Sequence, residues 1–217
     1  MKLPLLKLAA LSFVTCGAIL VASTATRGEY PKPSRYPISW QLKLDHGMPQ
    51  RIVVKVPGKS DPQAYWYMTY TVTNDTAQEQ TYLPIFEFLT TDGKVVRSDN
   101  MVPAIVFNAI KAREKKDLME PWTKVGGELL IGADQSKDGV AIWPEPSLRM
   151  EHFSIFVSGL SGEAVHLKND DGTEAKNAEG KPIILRKTLQ LNYHIRGDEV
   201  FPGEDEVNEN AENWVMR

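Results

Sequence analysis

Apolar and polar residues alternate along much of this chain with a period of two, the repeat of a β-strand whose two faces meet different surroundings. In residues 64–74, Trp66, Met68, Tyr70 and Val72 fall on one face, and Tyr65, Tyr67, Thr69, Thr71 and Thr73 on the other. Weaker runs of the same kind predict strands at 38–45, 51–56, 82–90, 95–96, 140–143, 152–157, 164–167 and 183–195. Polar and glycine-bearing stretches punctuate them: 46–50 reads as a hairpin connection, 74–80 and 91–94 as turns, and 168–181 as a mobile hairpin tip. One segment has a different rhythm. After Pro103, residues 104–119 lack glycine and proline and place Val106, Phe107, Ala109 and Ile110 where a helix can bury them.

Many short strands with one helix predict an all-β fold, an immunoglobulin-like antiparallel β-sandwich with an inserted α-helix at about residues 103–119. The expected domain is 38–197, preceded by an extended, proline-bearing lead-in at 26–37. The 42% hydrophobic and 24% charged composition suits such a domain, and 14 prolines with 15 glycines suit its many turns.

Residues 1–25 carry a separate signal. Lys2 and Lys7 precede an apolar stretch from Leu8 to Ala22, and Ser23 and Ala25 supply the small residues that an export peptidase reads. A cleaved signal peptide and a periplasmic or extracellular location are expected. Retention of the segment as an anchor is the alternative and the one route to a membrane, though the stretch is shorter than the roughly 20 apolar residues that span a bilayer. Cys16, the sole cysteine, lies within it, so the mature chain has neither thiol nor disulfide. Thr15 before it departs from the small residue that a lipid-attachment pattern requires.

The formal charge of −3 conceals a segregation. Residues 198–217 hold seven acids and one base, and read as a solvated acidic tail, while the domain itself is close to neutral. No basic patch favours nucleic acid as a partner. Trp214 stands out in the tail as a residue able to dock on the domain or on a partner.

Thr71–Val72–Thr73–Asn74–Asp75–Thr76, followed by the strand and Asp-Gly turn at 86–96, resembles the small extracellular bacterial immunoglobulin-like modules of the FxLYD type. Phe86, Phe88, Leu89, Asp92 and Gly93 approximate their signature. The resemblance covers about 35 residues and implies a secreted binding or scaffolding module; it carries no catalytic residue with it. More broadly, the chain resembles exported bacterial proteins.

Candidate chemistry is sparse. Around Ser161 the pattern Gly-x-Ser-x-Gly fails because Gly162 comes one residue early, and a tight turn accounts for it. No phosphate loop, His-Glu-x-x-His or cysteine pair is present. His46, His152, His166 and His194 have no ligand spacing. Asp134, Ser136 and Asp138, with Gly139 and Glu145, follow the order of a calcium loop, so calcium is the one cofactor the sequence raises. A polar turn feeding the strand at 140–143 is the other reading of the same residues. Tyr65 and Tyr67 offer a stacking platform for carbohydrate if their face is open, and the inserted helix is the competing occupant of that face. The sequence therefore predicts a non-catalytic exported protein that binds a protein or carbohydrate of the cell envelope. A calcium-dependent or aromatic-platform sugar binder, and a hydrolase, are the alternatives.

Overall fold

The computed structural model describes residues 30–147, 150–195 and 206–217. The expected signal peptide with Cys16, residues 26–29 of the lead-in and residues 198–205 lie outside the described residues. In chain order the strands are β1 (Lys43–His46), β2 (Gln50–Val54), β3 (Gln63–Thr73), β4 (Gln80–Tyr82), β5 (Ile85–Thr90) and β6 (Val95–Arg97). Helix α1 (Ala104–Glu114), β7 (Glu120–Pro121), the single-turn α2 (Trp122–Val125) and β8 (Gly127–Leu129) follow. Strands β9 (Lys137–Pro144), β10 (His152–Ser158), β11 (Ala164–His166), β12 (Ile184–Ile195) and β13 (Val207–Met216) complete the described chain.

The protein is an all-β sandwich with a helix laid on one sheet. The first sheet places β3 between β9 and an edge formed by β1 and β2, with β7 beyond β9. The second runs β11–β12–β10–β5–β6, with β13 also paired to β12. Trp66, Met68, Tyr70 and Val72 of β3 point between the sheets, where they join Phe86, Phe88, Phe153, Leu191 and Tyr193 in one buried cluster. Aromatic contacts dominate this layer. The Phe88 and Phe153 rings stack at 4.5 Å, Phe153 and Tyr193 at 5.2 Å, and Trp143 meets the Phe88 ring edge-on at 5.4 Å.

The expected hairpin at 46–50 is not one. Strands β1 and β2 run collinearly along the same edge of β3, and the passage from His46↔Tyr70 to Gln50↔Tyr67 leaves one extra residue on their side. This is a β-bulge, which bends the edge without reversing the chain. A Cβ on Gly47 would stand 2.9 Å from Thr69 Oγ1, so the close approach of the strands favours glycine there. The run at 82–90 is likewise split. Pro84 has no N–H to give a ladder, so Tyr82 ends β4, which pairs with β8, and Ile85 opens β5 in the second sheet.

Helix α1 ends five residues before the expected boundary, because Lys115 takes a left-handed conformation at φ 53° and turns the chain back towards β7. Met119, expected in the helix, instead lies in the core on the returning segment. A side chain at a left-handed position costs about 1 kcal/mol relative to glycine. Lys115→Gly is therefore expected to stabilise the fold by about that much, read as a higher urea midpoint with unchanged slope.

Residues 168–181 form two hydrogen-bonded turns instead of an open tip. Asn169 N–H donates to Thr173 O at 2.8 Å and Asn177 N–H to Lys181 O at 2.9 Å, with buried Ala175 between them.

The largest departure is the acidic tail. Residues 207–216, expected as solvated coil, are strand β13, antiparallel to β12 from Lys187↔Met216 to Ile195↔Val207. Met216 is buried, and Val207 and Trp214 pack against the main core. The polar stretch between them is held by the ladder, while its exposed acids stand on the free edge. Charged residues there discourage pairing with another chain.

Candidate functional site

The structure redistributes the residues singled out above. Tyr65 and Tyr67 lie under α1 with Val54, Val140 and Ile142, facing Val106, Ile110 and Met119. The tyrosine platform is closed, since this apolar sheet face is covered by α1 through the buried Val106 and Ile110. Tyr67 is fully buried, and its hydroxyl donates to Glu114 Oε1 at 2.6 Å, with the Gln50 side-chain amide 3.1 Å away. Burial, reinforced by the Glu114 carboxylate, pushes the Tyr67 phenol well above its ordinary range.

The calcium pattern does not converge. Asp134 sits in a 3-10 turn, Ser136 Oγ meets Thr73 Oγ1 at 2.7 Å, and Asp138 accepts from Thr71 Oγ1 at 2.6 Å across the β3–β9 ladder. Glu145 lies beyond the far end of β9, about 23 Å along an extended chain from Asp138, and is paired with Arg51 at 2.6 Å. Gly139 makes no left-handed bend. It is glycine because a Cβ there would meet the Tyr70 ring at 2.5 Å. The pattern is thus a sheet register seen in sequence.

Trp214 faces its own domain. Its ring lies 5.1 Å from Lys187 Nζ, a cation–π distance. Lys187 is only 4% exposed and forms a buried ion pair with Glu163, Nζ to Oε2 at 3.3 Å. The lead-in joins this corner: Ser34 N–H donates to Glu163 Oε1 at 2.7 Å, and Lys187 Nζ donates to Ser34 O at 3.3 Å. Burial alone would push the Glu163 carboxyl up, but the Ser34 N–H and the Lys187 ammonium overcome it and hold the group below the ordinary glutamate range.

Ser161 follows the bend at Gly159 and Leu160 and forms an isolated antiparallel bridge with Gln41, its Oγ donating to Trp40 O at 3.3 Å and accepting from Glu163 N–H at 3.2 Å. Fold closure brings two histidines side by side on neighbouring strands. His152 lies opposite His194 across β10 and β12, with ring centroids 6.2 Å apart. Beside them Ser154 Oγ donates to Asn192 Oδ1 at 2.7 Å, and a shallow polar hollow lies over this outer face of the second sheet.

The best-formed apolar recess is one that sequence reasoning missed. A pocket of about 330 Å³ opens between the start of α1, the turn through α2 and the helix-covered face of β9. Met101, Val102, Phe107 and Trp122 form its walls, and Val140 and Ile142 its floor. It arises from a packing mismatch: α1 covers the Tyr65–Tyr67 half of the sheet, and the short β7–α2 segment turns away before it closes the remainder. Ser98 and Thr123 are its polar lining, and the Ser98 backbone N–H is already engaged with Phe86 O at 2.9 Å. No ionisable side chain lines it among the described residues. The pocket therefore selects by shape and apolarity rather than by charge. Met101, almost wholly exposed at its mouth, is a flexible side chain suited to adapt to what enters.

Among the described residues no helix is long and apolar enough to cross a membrane. The fold and this recess together define a helix-covered β-sandwich with an apolar pocket beside the helix. Comparison with protein-family models, curated proteins and solved structures returned no match to the chain.

Proposed function

We propose that this chain is an exported, non-catalytic binding module of the cell envelope whose ligand site is the apolar pocket beside α1. The observation that carries the reading is the pocket itself: a volume within the range of small-ligand sites, walls of Phe107, Trp122, Val102 and Met101, and no ionisable group in its lining. Such a site takes an apolar group, either a small hydrophobic molecule or an apolar side chain of a partner protein. The lysine-bearing, apolar segment at residues 1–25 supports export, and the resemblance to extracellular immunoglobulin-like modules supports a binding role.

Ala104 stands at the pocket rim on the first turn of α1 and is exposed. Ala104→Trp is expected to fill the mouth while leaving the core intact. A solvatochromic apolar dye should bind the unmodified protein, its own emission reporting entry, and should bind Ala104→Trp about tenfold or more weakly at unchanged melting temperature. Equal binding to both proteins, or none to either, would remove the pocket from consideration. Cell fractionation with N-terminal sequencing checks the export half: the mature protein should be found outside the cytoplasm and begin near residue 26.

A further inference from the structure

At the open edge of the sandwich, His46 of β1 and Glu209 and Glu212 of β13 each bring a ligand atom within 4.8 Å of the others. We propose that these three residues bind a divalent first-row transition ion of the zinc class, which would staple the two sheets together along this edge. The site is independent of the apolar pocket.

Three features of the backbone build this cluster. Side chains three apart on a regular strand point to opposite faces. Strand β13 has a bulge at Asn210, between the pairs Asn192↔Ala211 and Tyr193↔Glu209, which restores parity and turns both glutamates to one side. That side is the inner one, since Glu212 pairs with Leu191 and Glu209 with Tyr193, both core residues. On the opposing sheet, the bulge after His46 is the one that keeps β1 and β2 on a single edge. Here Gly47 N–H donates to Thr69 O at 2.8 Å, which pins the backbone beside the histidine. Two irregularities on separate sheets thus meet at the same point.

The imidazole has a defined orientation. His46 Nδ1 lies 3.2 Å from Gly47 O. A carbonyl only accepts, so Nδ1 bears the proton and Nε2 keeps its lone pair for a metal. A ligating histidine whose other nitrogen donates to a backbone carbonyl is the usual arrangement of metal sites. The charge points the same way. Neither glutamate is paired with a lysine or arginine among the described residues. Two adjacent carboxylates repel one another until a cation joins them.

The donor set selects the ion. One nitrogen and two carboxylates suit zinc and its neighbours, whereas calcium requires six to eight oxygens. Metal–ligand bonds of about 2.1 Å place donors at most about 4.2 Å apart, so a small rotation of the exposed glutamates closes the site. Three protein ligands leave further positions to water.

Cobalt(II), titrated into the full chain at neutral pH, is expected to give visible ligand-field absorption saturating at one equivalent. Zinc(II) should displace it and, at about a hundredfold excess over Kd, raise the melting temperature by roughly 5–10 °C. His46→Ala and the double variant Glu209→Gln/Glu212→Gln should each abolish both signals, while His152→Ala/His194→Ala retains them. The glutamates are exposed, so their replacement leaves the core untouched even if His46→Ala unfolds. The proposal is overturned if no cobalt spectrum develops up to about 1 mM free cobalt, about 100-fold above a Kd of about 10 μM. Signals that survive the glutamine variant, or that vanish with His152 and His194, overturn it equally.

Discussion

A chain ending at residue 205 is expected not to reach the folded state. Strand β13 gives β12 its outer partner along the length from Lys187 to Ile195, and it buries Met216 to 4% exposure while packing Trp214 on the core. Loss of the Met216 side chain alone removes about 2–3 kcal/mol of burial. The broken ladder, the uncovered core beneath Trp214 and the lost contact between that ring and the Lys187 ammonium carry the total to about 5 kcal/mol or more. That equals the whole stability of many domains. The truncated chain would also display a long free β12 edge, a template for association. Thermal melting by circular dichroism should show no cooperative transition, and size-exclusion chromatography should show aggregate. An unchanged midpoint would mean that residues 206–217 contribute nothing to the fold.

The second large effect concerns Lys187 and Glu163. Lys187→Ala leaves a carboxylate that is 6% exposed without its counter-ion, and is expected to cost about 3–5 kcal/mol in urea denaturation. Replacing both residues, as Lys187→Met/Glu163→Leu, removes the uncompensated charge and should recover most of that loss. A double variant no better than the single would show that packing around the lysine stem, not the charge, holds the corner.

Acid tests the same pair. The native Glu163 carboxyl titrates below the unfolded value of about 4.3, so the unfolded state binds its proton first as pH falls. The contribution is therefore complete above the unfolded value and fades as pH drops through the native one. In Glu163→Gln the acid limb of the stability curve should be correspondingly shallower.

Legibility in the sequence followed the surroundings of each strand. The alternation in β3 and β12 was readable because their faces meet different neighbours, and the inner row Trp66, Met68, Tyr70 and Val72 is indeed the core. Strand β13 was not readable. Its middle, Asn208 to Asn213, has neither apolar alternation nor β-branched residues, and becomes a strand because β12 presents an edge to it. The bulge at 47–49 looked like a hairpin since glycine and proline serve both. The calcium pattern misled for a different reason: residue order carries no information on whether the chain wraps or runs straight, and β9 runs straight. The pocket left no local signal, because its lining comes from four separated segments. The histidine and glutamates at the edge share that difficulty, as their meeting depends on two bulges and on closure of the sheets.

The corner around Lys187 also bears on the order of assembly. It joins Ser34 to residues more than a hundred positions later, and Lys187 in turn to Trp214. Contacts that distant in sequence form after the loops between them have been closed, which places a sandwich of this kind among slowly folding topologies. A chain delivered from its N-terminus therefore holds an incomplete second sheet until residue 216 arrives. Up to that moment β12 keeps an unpaired edge from Lys187 to Ile195, and the Lys187 ammonium lacks the Trp214 ring beside it.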